Sequence, residues 1–133
     1  MSEHGKSIFD LDANIVSLLC YLGNVVCGIG GLVLSIIVVV QDKNNRLARF
    51  HAWQSIFTSV LGLCLTVIYM IVGFVAGIID AAIGFPIFSL GMVLITGLIS
   101  LALFVFVVIA AIKGLGGQEY KIPIVGNIAE KYV

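Results

Sequence analysis

Apolar residues fill three long blocks of this chain, 13–41, 50–79 and 81–112, with little polar interruption. Between positions 13 and 112 the only charged side chains are Asp42, Lys43, Arg46, Arg49 and Asp80, and the first four share one short loop. A bilayer core about 30 Å thick is spanned by roughly 20 apolar residues in a helix, and each block is longer than that. The pattern predicts an all-α membrane helical bundle with three transmembrane helices, over about 14–40, 53–79 and 90–112. An inner loop covers 41–50, and a short C-terminal amphipathic segment covers 120–132. Residues 1–12 read as a polar, mobile tail and 13–131 as a single membrane domain.

Within the blocks, small residues recur at helical spacing. The first row is Ser17, Cys20, Gly23, Cys27, Gly31 and Ser35, and the second is Ser55, Ser59, Gly62, Thr66, Gly73 and Gly77. Residues three or four apart share a helix face, and small ones let a second backbone approach closely. The two rows are therefore expected to meet across the loop. Asn24 and Tyr69 are the polar side chains that need an interhelical partner, because an unpaired amide or phenol in hydrocarbon is costly. The residues assigned to helix packing are Gly23, Asn24, Cys27, Gly31, Ser55, Ser59, Gly62 and Tyr69. The first block would make about 40 Å of continuous helix. Either that helix tilts, or 14–22 lies partly in the interface and the chain dips at Gly23-Asn24. Gly84 and Pro86 break the helix after Asp80, and Pro123 can open a short one in the tail, with Val125, Ile128, Ala129 and Tyr132 at helical spacing.

Composition sharpens the membrane reading. Hydrophobic residues make up 61% and charged residues 11%, against about 45–50% and about 25% in soluble domains. Lys and Arg favour cytoplasmic loops. The loop cations Lys43, Arg46 and Arg49, with Lys113, Lys121 and Lys131 after the last block, place loop and C-terminus inside. Three spans then put the N-terminus and the Asp80 turn outside. Which membrane is involved is not encoded. The acidic N-terminal residues Asp10 and Asp12, followed by a long apolar run, argue against a cleavable signal or a transit peptide. Cys20 and Cys27 lie seven residues apart on one helix, about 10 Å along its axis, beyond disulfide reach. With Cys64 they read as small buried apolar residues.

The densest polar stretch is Arg46-Leu47-Ala48-Arg49-Phe50-His51-Ala52-Trp53-Gln54-Ser55. Arg49 and Trp53, four apart, can stack at headgroup depth, and Arg46 and Arg49 can reach lipid phosphates or a partner's carboxylates. Candidate partner or lipid contacts are Arg46, Arg49, His51, Trp53, Gln54 and Lys121. The tempting acid–base pair, His51 and Asp80, would lie about 43 Å apart along one helix. No catalytic, cofactor-binding or metal-ligating set emerges. Gly114-Leu115-Gly116-Gly117 follows an apolar span instead of a strand, which sets it apart from a phosphate loop. Three packed helices enclose no lumen, and no nucleic-acid partner is indicated. Partners are membrane lipids, and further copies of the chain or other membrane proteins.

Several segments together resemble a small membrane family. They are Tyr21-Leu22-Gly23, Lys43-Asn44-Asn45-Arg46, the Phe50-His51-Ala52-Trp53-Gln54-Ser55 run, and the tail from Tyr120-Lys121-Ile122-Pro123 through Gly126 to Ala129-Glu130-Lys131. The family groups proteins of unknown function with the twenty-kilodalton Tic component of the chloroplast inner envelope. Its plastid member is regarded as part of a protein-conducting channel drawn with four spans, whereas this chain shows three and no plastid transit peptide. The resemblance implies that inner loop and inner tail pack together at one membrane face, and it links the chain to protein translocation. The expected role is a non-enzymatic small subunit or scaffold of a membrane complex. The alternatives are a pore or transport component formed by oligomerisation, and a lipid-interacting protein.

Overall fold

A computed structural model describes residues 5–133. Five α-helices follow in order: α1 Ala13–Cys27, α2 Ile29–Gln41, α3 Arg46–Ile83, α4 Ile87–Leu115 and α5 Val125–Ala129. Single 3₁₀ turns precede α1 (Ile8–Asp10) and follow α5 (Glu130–Tyr132). No strand occurs among the described residues beyond an isolated bridge between Lys6 and Asp12. The chain forms two compact units, residues 1–59 with 106–133, and residues 60–105.

In the first unit the single first span is replaced by a hairpin. Gly28 takes φ 60° and ψ −79°, a left-handed conformation that ends α1 and starts α2. The two helices then pack on each other closely enough that a Cβ on Gly31 would stand 2.2 Å from the Asn24 nitrogen, and one on Gly23 would stand 2.7 Å from Gly31 Cα. The first small-residue row thus folds onto itself. At 15 and 13 residues, α1 and α2 are about 22 and 20 Å long, each short of a hydrocarbon core. Among the described residues, α3 (38 residues) and α4 (29 residues) are the helices long and apolar enough to cross a membrane. The continuous helix expected over 14–40 as the first of three spans is instead the α1–α2 hairpin.

The hairpin also returns the N-terminal segment to the loop. Ser7 Oγ donates to the Asp42 carboxylate, the Asn45 amide reaches the Lys6 carbonyl at 3.5 Å, and Asn14 Nδ2 donates to the Leu115 carbonyl at 3.0 Å. Residues 5–12, expected as a free tail on the opposite side from the loop, are held against it; positions 1–4 of that tail lie outside the described residues. Ile8, Ala13, Val16 and Cys20 bury against Val38, Leu47, Ala48 and Ala52, joining the N-terminal turn, α1, α2 and the head of α3 in one core. A second core sets Tyr21 against Ala110, Ile122 and Val125.

Local chemistry fixes the loop. Asp42 accepts the Asn44 and Asn45 backbone N–H groups at 3.2 and 2.9 Å, an Asx turn. Asn45 Oδ1 then accepts the Ala48 N–H at 3.2 Å, an N-cap for α3. Arg49 donates to the Val39 and Asp42 carbonyls at 3.1 and 3.0 Å, so a cation sits on the orphan carbonyls ending α2.

In the second unit, Gly84 (φ 78°) turns the chain between α3 and α4. Asp80 accepts the Phe88 and Ser89 N–H groups at 2.9 and 2.8 Å, so the last charge of the apolar region caps the start of α4. A Cβ on Gly73, Gly77, Gly91 or Gly97 would meet nothing within 4 Å. The second small-residue row is therefore open over this length, and Tyr69 lies 39% exposed instead of facing a bundle partner. Cys64, and Cys27 in the first unit, are likewise exposed; Cys20 alone is buried as expected.

Candidate functional site

The polar run at the head of α3 does not face outward. His51, Gln54 and Ser55 are fully buried, and each finds its partners inside the first unit. Gln54 Nε2 donates to the Tyr21 hydroxyl at 2.8 Å and to the Tyr120 carbonyl at 3.0 Å. Its Oε1 accepts the Ile122 N–H at 3.1 Å. One side chain therefore binds α1 and two backbone positions of the tail.

The remaining protons can be placed by elimination. The Gln118 carbonyl, 3.0 Å from His51 Nε2, can only accept, so Nε2 carries hydrogen. In the neutral ring Nδ1 then accepts, and the Tyr21 hydroxyl 2.9 Å away donates to it. The chain of bonds runs Gln54 to Tyr21 to His51 to the Gln118 carbonyl, each donor matched to an acceptor. A second branch runs from Asn24 Nδ2 to Ser55 Oγ at 2.8 Å, and from Ser55 to the Cys20 carbonyl at 3.0 Å. Asn24 thus finds its interhelical partner in Ser55.

Two glycines admit this packing. A Cβ on Gly114 would stand 3.1 Å from Ser17 Cβ and 3.2 Å from His51 Nε2. One on Gly126 would stand 2.6 Å from Lys121 Cα and 2.7 Å from Gln54 Oε1. Sequence marks Gly114 in a glycine run, Gly126 in the tail motif and Tyr21 in a family-like segment, but assigns none of them this packing or bonding role.

The other candidates divide by position. Arg46 pairs with Glu119 through two N–H groups, at 2.9 and 3.3 Å, and Lys121 pairs with Glu130 at 2.8 Å. Loop and tail therefore pack together. Trp53 stacks on Phe57 and lies against Tyr132, with ring centroids 5.6 and 5.1 Å apart. The tail is docked: Ile122, Val125 and Ala129 are buried, while Ile124 and Ile128 remain exposed. His51 and Gln54, expected to touch lipid or a partner, are instead interior bonds of the fold, because their partners Tyr21, Gln118 and Tyr120 close over them. Trp53, Ser55 and Ser59 complete the same helix turn pattern, with Ser59 donating to the Ser55 carbonyl. Gly62 has open space where a Cβ would stand. Among the described residues no group of three His, Cys, Asp or Glu converges as a metal site would require.

These features define a small α-helical membrane protein in which Tyr21, His51 and Gln54 form a buried hydrogen-bonded network at the head of α3. The chain belongs to the MamF/MmsF family, the magnetosome magnetite crystal formation protein family, which it matches over residues 12–129. It is similar to a UPF0132 membrane protein of Methanocaldococcus jannaschii, with 32% identity over 128 residues, 96% of this chain and 94% of the relative. A second UPF0132 membrane protein of that archaeon is 34% identical over 122 residues, 92% of this chain and 71% of the relative. No solved structure matches.

This membership corrects the resemblance to the Tic component. The segments that suggested it are the network itself, Phe50 to Ser55 with the Tyr120 to Lys131 tail, and they close a helical fold without specifying translocation. The family and the relatives it matches carry no protein-transport description.

Proposed function

We propose that the chain is a non-enzymatic membrane scaffold or small subunit, crossing the bilayer twice through α3 and α4 with the α1–α2 hairpin entering and leaving from one face. The support for this arrangement is the bonding of Ser7 to Asp42 together with helices α1 and α2 too short to span. All seven Lys and Arg residues fall in the first unit. By the preference of cytoplasmic loops for cations, the N-terminal segment, the loop and the tail then share the inner face. This replaces the arrangement with the N-terminus outside.

The observation that carries the non-enzymatic reading is the internal matching of His51, Tyr21 and Gln54. A general base must reach a substrate proton, and here both His51 nitrogens already hold partners. The family description names magnetite crystal formation, while the archaeal relatives are named only as membrane proteins. The relatives' names state a membrane protein and no mineral, so the mineral role is not transferred. Partners are bilayer lipids and further copies of this chain or other membrane proteins.

Two measurements test this. Reporter tags placed at each terminus should label the same side of the membrane; opposite labelling would sink the hairpin arrangement. Crosslinking followed by native mass analysis should find the chain in an assembly, and a lone monomer at every protein concentration would refute the subunit role.

A further inference from the structure

At the loop lies an open pocket of about 170 Å³ lined by Lys43, Asn44, Arg46, Arg49 and Val133. Its charge is unbalanced. Arg46 is bound to Glu119 through Nε and Nη2. Arg49 donates only to the carbonyls of Val39, Asp42 and Tyr132. Among the described residues neither Arg49 nor Lys43 makes an ion pair. The nearby Asp42 carboxylate is occupied by Ser7 and by the Asn44 and Asn45 amides. Lys43 and Arg49 thus border the pocket with no side-chain carboxylate paired to them, and three cations there stand against Glu119 and the Val133 terminal carboxylate.

The depth of the pocket follows from what Arg49 touches. Its Nη2 donates to the Tyr132 carbonyl at 3.3 Å, and the Tyr132 ring lies against Trp53 and Phe57. Clustered aromatic rings of this kind favour the boundary between hydrocarbon and water. In the inner-face arrangement proposed above, that boundary is where lipid phosphates are found and where this pocket would lie. Guanidinium and ammonium donors with an Asn amide match the oxygens of a phosphodiester.

We propose that this pocket binds the phosphate of an anionic phospholipid headgroup, with Lys43 and Arg49 supplying the charge and Arg46 shared with Glu119. The proposal rests on the inner-face arrangement above, but binding is read in detergent and does not depend on orientation, so the two can fail separately.

Native mass spectrometry of the full chain, titrated with phosphatidylglycerol or phosphatidylcholine, tests it. Phosphatidylglycerol should be retained preferentially. Lys43→Gln should weaken that retention about fivefold, in keeping with the usual contribution of one cation near an anionic surface. Lys43→Gln with Arg46→Gln should weaken it further, while Lys131→Gln, away from the pocket lining, should leave it unchanged. Arg49 is left intact because it also ends α2. Equal retention of the two lipids, or an equal loss in Lys131→Gln, overturns the site. Displacement of the lipid by a modest excess of inorganic phosphate would instead make it a site for soluble anions and overturn the lipid assignment.

Discussion

Gln54 Nε2 lies 2.8 Å from the Tyr21 hydroxyl, and that bond joins α1 to the head of α3 while the same amide holds the tail. Removing the hydroxyl leaves His51 Nδ1 without its donor and takes one acceptor from Gln54. Tyr21→Phe should therefore cost about 1–3 kcal/mol, the usual penalty for unpaired buried polar groups. Because Tyr21 and Gln54 belong to one network, their substitutions should not add. Thermal unfolding in detergent of Tyr21→Phe, Gln54→Leu and the double variant measures the coupling; strict additivity would mean that the bond does not tie the elements together.

The Gly23–Gly31 approach makes a sharper claim. A Cβ at Gly31 would meet backbone at Asn24 N, 2.2 Å away, and at the Cys20 carbonyl oxygen, 2.5 Å away, besides Asn24 Oδ1 at 2.5 Å, so side-chain rotation alone does not relieve it. Gly31→Ala should destabilise the hairpin by at least about 1–3 kcal/mol, the range for overpacking. At Gly62 nothing lies within 4 Å, and Gly62→Ala should be neutral or stabilise by up to about 1 kcal/mol through helix propensity. If both variants melt alike, the two helices are not packed as a closed hairpin.

The contrast between those glycines shows how far sequence reaches. Length and apolarity identify α3 and α4 because a span is a one-dimensional property. The break at Gly28 is not visible that way, since glycine is common in membrane helices and φ +60° is imposed by the return packing of α2 on α1. Small spacing correctly marks Gly23 and Gly31 as a packing face, but it cannot name the partner. Here the partner lies in the same row, eight positions on.

The polar run was legible for a similar reason and misread for another. Residues 46 to 55 gather Arg, His, Trp and Gln in one stretch between apolar blocks. Their burial depends on Tyr21, 30 residues before His51, and on Gln118, 67 residues after it. Nothing local distinguishes a histidine aimed at lipid from one aimed at a carbonyl that distant. Asp80 has nearer partners, the Phe88 and Ser89 amides within nine residues, yet sequence marks it only as the charge of a turn, because it lies inside α3 and caps α4 only once Gly84 turns the chain.

That cap gives a test confined to the second unit. Asp80 satisfies two of the four N–H groups that α4 leaves unpaired at its start and places negative charge at the positive end of the helix. Asp80→Ala should lower the thermal midpoint, and Asp80→Asn should lower it less because an amide oxygen still accepts. Hydrogen exchange of the Phe88 and Ser89 amides reads the cause directly. Unchanged protection at both positions in Asp80→Ala would show that the carboxylate does not hold the turn.

At the inner face, the tail carries a pH dependence of its own. The Lys121 ammonium, 2.8 Å from the carboxylate, holds Glu130 below its ordinary carboxylate range by hydrogen bonding and by charge. A carboxyl whose pKa is depressed on folding contributes stability above its unfolded pKa and loses it as pH falls through the folded value. The contact therefore helps to hold the tail at neutral pH and weakens only in acid, below the usual carboxylate range. Both partners are substantially exposed, so the effect is local and small beside that of the Gln54 bonds. Proteolytic cleavage within 127–133 should speed up at acid pH in the native chain, measured with an acid-active protease. Glu130→Gln should cleave faster at neutral pH and lose most of that acceleration. The same pH response in both proteins would assign the change to another group and remove Lys121–Glu130 from the anchorage of the tail.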